Sequence, residues 1–131
     1  MMNKLHSCLL CMGSNKDRHV RMAYTRKALD RIFPDIRYGE EMETEAIGKS
    51  FLSPFSNQVA RFHTPLSIDE TKAILKGIEK ENGRMPDDKA QGVVKMDIDL
   101  LTYDDLVLKP DDMEKNYVQK GIEQLDHTKT C

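Results

Sequence analysis

Long hydrophobic runs are missing from these 131 residues. A membrane-spanning helix needs about 20 consecutive apolar residues, and nothing in the chain approaches that length. The opening stretch MMNKLHSCLLCMG holds too short an apolar segment for a secretory signal, so the expectation is a cytoplasmic protein with no membrane partner. An excess of one charge sign is missing too. Basic side chains number 20 against 22 acidic ones, a formal net charge of −2, which argues against broad electrostatic binding to nucleic acid. Cysteine is confined to Cys8, Cys11 and Cys131. Cys8 and Cys11 have the spacing of a metal half-site or redox pair, but no second pair follows, and on a strand that spacing sends the thiols to opposite faces. Reduced, structural cysteines are expected. There is no internal repeat, low-complexity tract or Gly/Ser linker, and the length suits a single domain of residues 1–131.

What is present reads as an alternation of strands and helices. Leu5 to Met12 is a short apolar run leading into the turn signal Gly13-Ser14-Asn15, and reads as a strand. His19 to Phe33 carries Val20, Ala23, Tyr24, Ala28, Ile32 and Phe33 at helical spacing, with Asn15 or Asp17 to cap it and Pro34 to stop it. Ile36 to Glu45 reads as a strand near an edge, Gly48 to Pro54 as a loop, and Phe55 to Thr64 as a third strand. In that third strand Ser56 and Gln58 fall on a face expected to be core. Ser67-Ile68-Asp69-Glu70 matches a capping box, Thr71, Leu75 and Ile78 follow at helical steps, and Gly83 suits a left-handed terminator. Beyond a polar loop from Arg84 to Gln91, which could act as a lid, comes a fourth strand from about Val93 to Tyr103. The tail from Lys109 is charged, with a short helix expected between Asp111 and Gln124. The order β-α-β-β-α-β is that of a ferredoxin-like α+β fold: a four-stranded antiparallel sheet with two helices on one face. Its other face is left for a ligand, a partner or extra segments.

Lys95-Met96-Asp97-Ile98-Asp99-Leu100-Leu101 places two acids inside an apolar run. Alternation sends Val94, Met96, Ile98 and Leu100 to one face and Lys95, Asp97 and Asp99 to the other, with the two aspartate Cα atoms roughly 6.5–7 Å apart. Unpaired carboxylates at that distance resist joint ionisation. A hard divalent cation such as Mg²⁺, which takes one or two carboxylates together with waters and phosphate oxygens, would relieve them. The alternative is a solvated strand face with Lys95 as counter-ion.

Four further segments accompany the aspartates in order: Gly13-Ser14-Asn15, Thr44-Glu45-Ala46-Ile47-Gly48, Phe55-Ser56-Asn57 and Ile78-Glu79 with Gly83-Arg84. Together the five resemble the 6-hydroxymethyl-7,8-dihydropterin pyrophosphokinases, from about residue 5 to 108. The resemblance implies transfer of pyrophosphate from ATP to a pterin hydroxymethyl group, a step of folate biosynthesis. Asp97 and Asp99 would hold two Mg²⁺ ions on the ATP phosphates. Phe55 would lie against the pterin and Asn57 bond its edge, with Thr44 and the backbone at Ile47 closing that pocket. Arg84 would contact the phosphates and assist the transfer, while Glu79 and Leu100 would line the nucleotide site. Gly13-Ser14-Asn15 lacks the G-K-[ST] ending of a phosphate loop and is assigned to turn structure.

The chain also departs from the family pattern. Gln91, Val93 and Val94 stand where the family has a Trp and a Pro-Arg. A P-H-x-x-…-R region is not recognisable after Leu108. Lys95 is the expected substitute for the missing arginine, as a catalytic and nucleotide-binding cation, with Lys115 or Lys120 as candidates from the tail. Fewer cations near a triphosphate imply weaker binding. Two other functions fit the residues: a relative that binds pterin or nucleotide without turnover, and a ferredoxin-like module docking a protein or RNA. A monomer or weak dimer is expected.

Overall fold

The computed structural model describes residues 4–45 and 53–129. Its order is β1 (His6–Ser14), α1 (Arg18–Ile32), β2 (Arg37–Tyr38), β3 (Met42–Thr44), β4 (Phe55–Thr64), α2 (Ile68–Glu81), β5 (Asp97–Tyr103), β6 (Leu106–Val107), α3 (Pro110–Met113) and α4 (Asn116–Lys129). Ile47, Gly48 and Cys131 lie outside the described residues, as does most of the expected loop before Pro54. Among the described residues no helix is long and apolar enough to cross a membrane.

Strands form one mixed-length antiparallel sheet in the order β2-β4-β1-β5-β6, with β3 also pairing β4. The sheet therefore has six strands, not the expected four. Two additions account for the difference. The expected strand from Ile36 to Glu45 is broken, because the Gly39 N–H bonds the Val59 carbonyl (3.0 Å) and the Gly39 carbonyl accepts from the Gln58 side chain (2.7 Å). Glu40 then turns its N–H to the Gln124 side chain (2.7 Å), so β2 and β3 reach β4 separately. The second addition is β6, a short edge strand beyond Tyr103. The last long strand starts at Asp97 rather than Val93.

On one face α1 and α2 cover Leu10, Met12, Ala60, Phe62, Ile98 and Leu100. The capping box forms as read: the Ser67 hydroxyl accepts from the Glu70 N–H (3.1 Å) and the Glu70 carboxylate accepts from the Ser67 N–H (3.0 Å). Gly83 takes the left-handed conformation, φ 84°. Helix α1 departs from expectation. It buries Met22, Thr25 and Leu29, and leaves Val20 74%, Tyr24 46% and Ile32 40% exposed. The reason lies across the interface. Arg18 donates to the buried Ser56 hydroxyl (3.0 Å) and Arg26 to the buried Gln58 carbonyl (2.9 Å), so the arginine-bearing ridge must face the sheet. Those bonds also explain Ser56 and Gln58, whose burial would cost several kcal/mol unpaired. Neither expected cap forms at the start of α1. Asp17 holds the N-cap position with φ 48° and makes no side-chain cap bond, its carboxylate pairing loosely with Arg21 (3.9 Å) instead, and Asn15 is engaged elsewhere.

The tail forms α3 and α4, and α4 packs on the second face. Val118 and Leu125 are buried against Leu9, Val59 and Leu101, each contributing about 1.5–3 kcal/mol of burial. The second face is thus half covered. What stays open is the end of the sheet near Asp97 and Asp99. Cys8 lies in the first core and Cys11 on the second face, both free thiols, as strand alternation requires.

Candidate active site

β5 sends Asp97, Asp99 and Leu101 to the face that carries α4, and Ile98 and Leu100 beneath α2. In register, Gly13 of β1 stands beside Asp97 with Asn57 of β4 beyond it, and Cys11 stands beside Asp99 with Val59 beyond it. The two acids therefore lie beside the middle strand, between α2 and the tail. Burial, and then the neighbouring Asp97 charge, push the Asp99 carboxyl up to about 7 from 3.8. Burial likewise raises the Cys11 thiol to about 12, with the Asp99 charge adding to it, so this thiol is not a nucleophile at neutral pH.

Arg84 is the fixed counter-ion. Its guanidinium pairs with Glu79 (3.0 Å) and Asp97 (3.0 Å). Glu79 is buried and accepts the Ile98 N–H (2.7 Å), which pins α2 to the strand that carries the acids. Burial raises the Glu79 carboxyl, against the pull of that bond and of Arg84.

Two cavities meet at the aspartates. The first, about 660 Å³, runs under α2 and is lined by Lys72, Lys76, Glu79, Lys80 and Arg84 on one side and by Leu100 and Lys109 on the other. The second, about 570 Å³, is lined by Gly13, Thr44, Phe55 and Asn57 from the sheet and by Asp112, Lys115 and Tyr117 from the tail. Asp97 and Asp99 line both. In the second cavity the Asn57 amide donates to the Thr44 hydroxyl (2.6 Å). A Cβ at Gly13 would stand 2.6 Å from the Asn57 side-chain oxygen, so only glycine leaves that amide its place. Gly13 and Ser14 are thus strand residues, not turn residues.

Asn15 has a separate task. Buried, it donates to the Gly92 carbonyl (2.9 Å) and accepts the Val94 N–H (2.6 Å), while its own N–H bonds the Val94 carbonyl (2.9 Å). These bonds fasten the segment that leads into Asp97. Asn15→Ala leaves a buried N–H and carbonyl unpaired and should cost about 1–3 kcal/mol, read as a lower urea midpoint. An unchanged midpoint would mean that water replaces the amide and the segment does not depend on it.

The residues singled out from sequence are largely brought together. Asp97, Asp99, Arg84, Glu79 and Leu100 line the first cavity, and Thr44, Phe55 and Asn57 the second. Lys95 lies apart: its ammonium bonds the Gly83 carbonyl (2.9 Å) and pairs with Asp88 (3.5 Å), and it lines neither cavity. Sequence reasoning overlooked Lys72, Lys76, Lys80 and Lys109, although the first three recur every four residues along α2. Asp112 and Tyr117 were overlooked with less signal to find them, in a tail whose pattern is dominated by charge.

The donor set fits Mg²⁺. Two hard carboxylates face open space, and the raised Asp99 carboxyl marks a charge conflict that a cation would remove. Among the described residues no group of three or more His, Cys, Asp or Glu side chains is placed to hold a metal. The pair would therefore leave most of the coordination to waters and phosphate oxygens, the usual situation for this ion. Paired acids between a cation-lined and an amide-lined cavity suit the class of metal-assisted phosphate-group transferases. The family follows from comparison: the model for 7,8-dihydro-6-hydroxymethylpterin-pyrophosphokinase (HPPK) matches residues 9–127, and the chain belongs to that family. No curated protein matches the chain.

Proposed function

We propose that the chain transfers pyrophosphate from Mg-ATP to the hydroxymethyl group of 6-hydroxymethyl-7,8-dihydropterin, releasing AMP. The observation that carries this reading is the pair Asp97 and Asp99 lining both cavities at once. A donor in one and an acceptor in the other would meet at the carboxylates. On this reading the sheet and first two helices are a ferredoxin-like core, extended by β6, α3 and α4, working in the cytoplasm as a monomer or weak dimer.

Asp97 and Asp99 would hold two Mg²⁺ ions, which supply charge neutralisation on the phosphates and acidify the acceptor hydroxyl. The remaining work belongs to positioning. Phe55 offers a ring face to the flat pterin and Asn57, steadied by Thr44, a hydrogen-bonding edge. Tyr117 and Lys115 close the same cavity from the tail, limiting water around the acceptor. Arg84, held between Glu79 and Asp97 and still partly exposed, offers its unused N–H groups to phosphate oxygens, where a fixed donor contributes most. Glu79 fixes Arg84 rather than touching nucleotide through a free carboxylate. Lys95 would contribute through the loop it braces.

Incubation with Mg-ATP and hydroxymethyldihydropterin should release AMP in proportion to pterin consumed. Absence of AMP at saturating substrates would refute turnover. A second reading, binding without catalysis, is favoured by one observation: Lys95 is tied to Gly83 and Asp88 instead of facing phosphate. It predicts pterin binding that Asn57→Ala weakens, with no AMP formed.

A further inference from the structure

Four cations follow one another at intervals of four along the ridge of α2 and just past its end: Lys72, Lys76, Lys80 and Arg84. All four line the first cavity, and Lys109 faces them from beyond β6. Like charges at this helical spacing repel, so folding gives no reason for the row. The same helix carries Asp69, Glu70, Glu79 and Glu81, but among the described residues none of them pairs with Lys72, Lys76 or Lys80: Glu70 is taken by the cap at Ser67 and Glu81 by the Tyr24 hydroxyl. Glu79, three residues past Lys76, spends its carboxylate on Arg84 and the Ile98 N–H. Among the described residues none of Lys72, Lys76, Lys80 and Lys109 has an ion-pair partner, whereas Arg84 has two and Lys95 and Lys115 one each.

We infer that Lys72, Lys76 and Lys80, together with Lys109, are the cations that bind the polyphosphate of a nucleoside triphosphate in this cavity. The loop that follows the helix offers no comparable row, since its Lys89 stands beside Asp87 and Asp88. The inference deepens the proposed function and rests on it. Three lysines four residues apart span about 12 Å of helix, enough to run alongside a triphosphate whose far end meets Asp97 and Asp99. Long, solvated ammonium stems attract through charge rather than forked geometry. Recognition is therefore expected to scale with phosphate count and to weaken with salt.

The test is calorimetric binding of an unhydrolysable ATP analogue with Mg²⁺, compared with AMP, to the full chain. Lys72→Ala/Lys76→Ala is the test variant. Lys27→Ala/Arg31→Ala, on the outer side of α1 and lining neither cavity, removes the same charge. The test variant should lose about tenfold in triphosphate affinity, change less than about twofold for AMP, and show a flatter salt dependence. The control should do none of these. Equal losses for both nucleotides, equal losses in both variants, or no triphosphate binding by the unaltered protein would overturn the inference. Because binding is read without turnover, lysine-dependent binding with no AMP release would refute the proposed reaction and leave the lysines assigned. AMP release unaffected by their removal would do the reverse.

Discussion

Replacing Asp97 or Asp99 by alanine should lower kcat by about 100-fold or more, the scale on which preorganised charge at a transferring phosphate is felt, and should abolish Mg²⁺-dependent nucleotide binding. The fold should survive, because among the described residues the ion-pair partner of Asp97 is Arg84, and Arg84 retains Glu79. Stability should respond in the direction set by proton linkage. Folded Asp99 holds a proton up to about 7, whereas its ordinary value is 3.8. The folded state therefore loses stability as pH rises from about 4 to about 7, and the loss is complete above that range. Asp99→Asn should remove the penalty, giving no gain at pH 4 and a gain on the order of 1 kcal/mol at pH 8 once screening of a half-buried carboxylate is allowed for. The same proton competes with the metal, so Mg²⁺ affinity should fall as pH drops below about 7. Urea melts of both proteins at the two pH values, with and without Mg²⁺, read all of this. Equal stability gains at pH 4 and pH 8 would show that Asp99 is ionised throughout, and unfolding of the variants would make the acids structural.

The acid pair was legible because strand alternation is rigid. Once Ile98 and Leu100 are assigned to the core, Asp97 and Asp99 have only one place to point. β4 and the capping box of α2 were legible for the same reason, each resting on a local rule that tertiary contacts had no cause to override. The second strand was not, because its break depends on Gln58 and Gln124, which reach Gly39 and Glu40 from elements distant in sequence. The face of α1 was misread because its apolar residues fall on two stripes. The choice between them is made by Arg18 and Arg26 answering Ser56 and Gln58 across the sheet. The lysine row of α2 was in plain view at a period of four. A count of net charge hides it, since Asp69, Glu70, Glu79 and Glu81 balance it on the same helix.

The tail was the least legible part, and its seating gives the second large expectation. Gly121 lies inside α4, where glycine costs about 1 kcal/mol relative to alanine. Helix propensity alone therefore makes Gly121→Ala stabilising. Packing opposes it: a Cβ there would stand 2.1 Å from a methyl of the fully buried Val59, while a Cβ on the facing Gly39 would meet the Gly121 backbone at 3.2 Å. Overpacking of this kind typically costs about 1–3 kcal/mol, and so close a contact belongs at the upper end, so packing wins by roughly 2 kcal/mol. Gly121→Ala should lower the melting temperature by several degrees. It should also lift α4 and with it Lys115 and Tyr117, which line the second cavity. Pterin affinity should then fall more than that of an ATP analogue bound under α2. Removing the two obstructing methyl groups with Val59→Ala leaves the new Cβ no closer than 3.3 Å to the Val59 side chain. The double variant should accordingly lose less than the sum of the two single losses, because the clash and the cavity cancel. A Gly121→Ala protein that melts higher than the original would mean that propensity decides, that α4 does not rest on Val59, and that the second cavity has no roof.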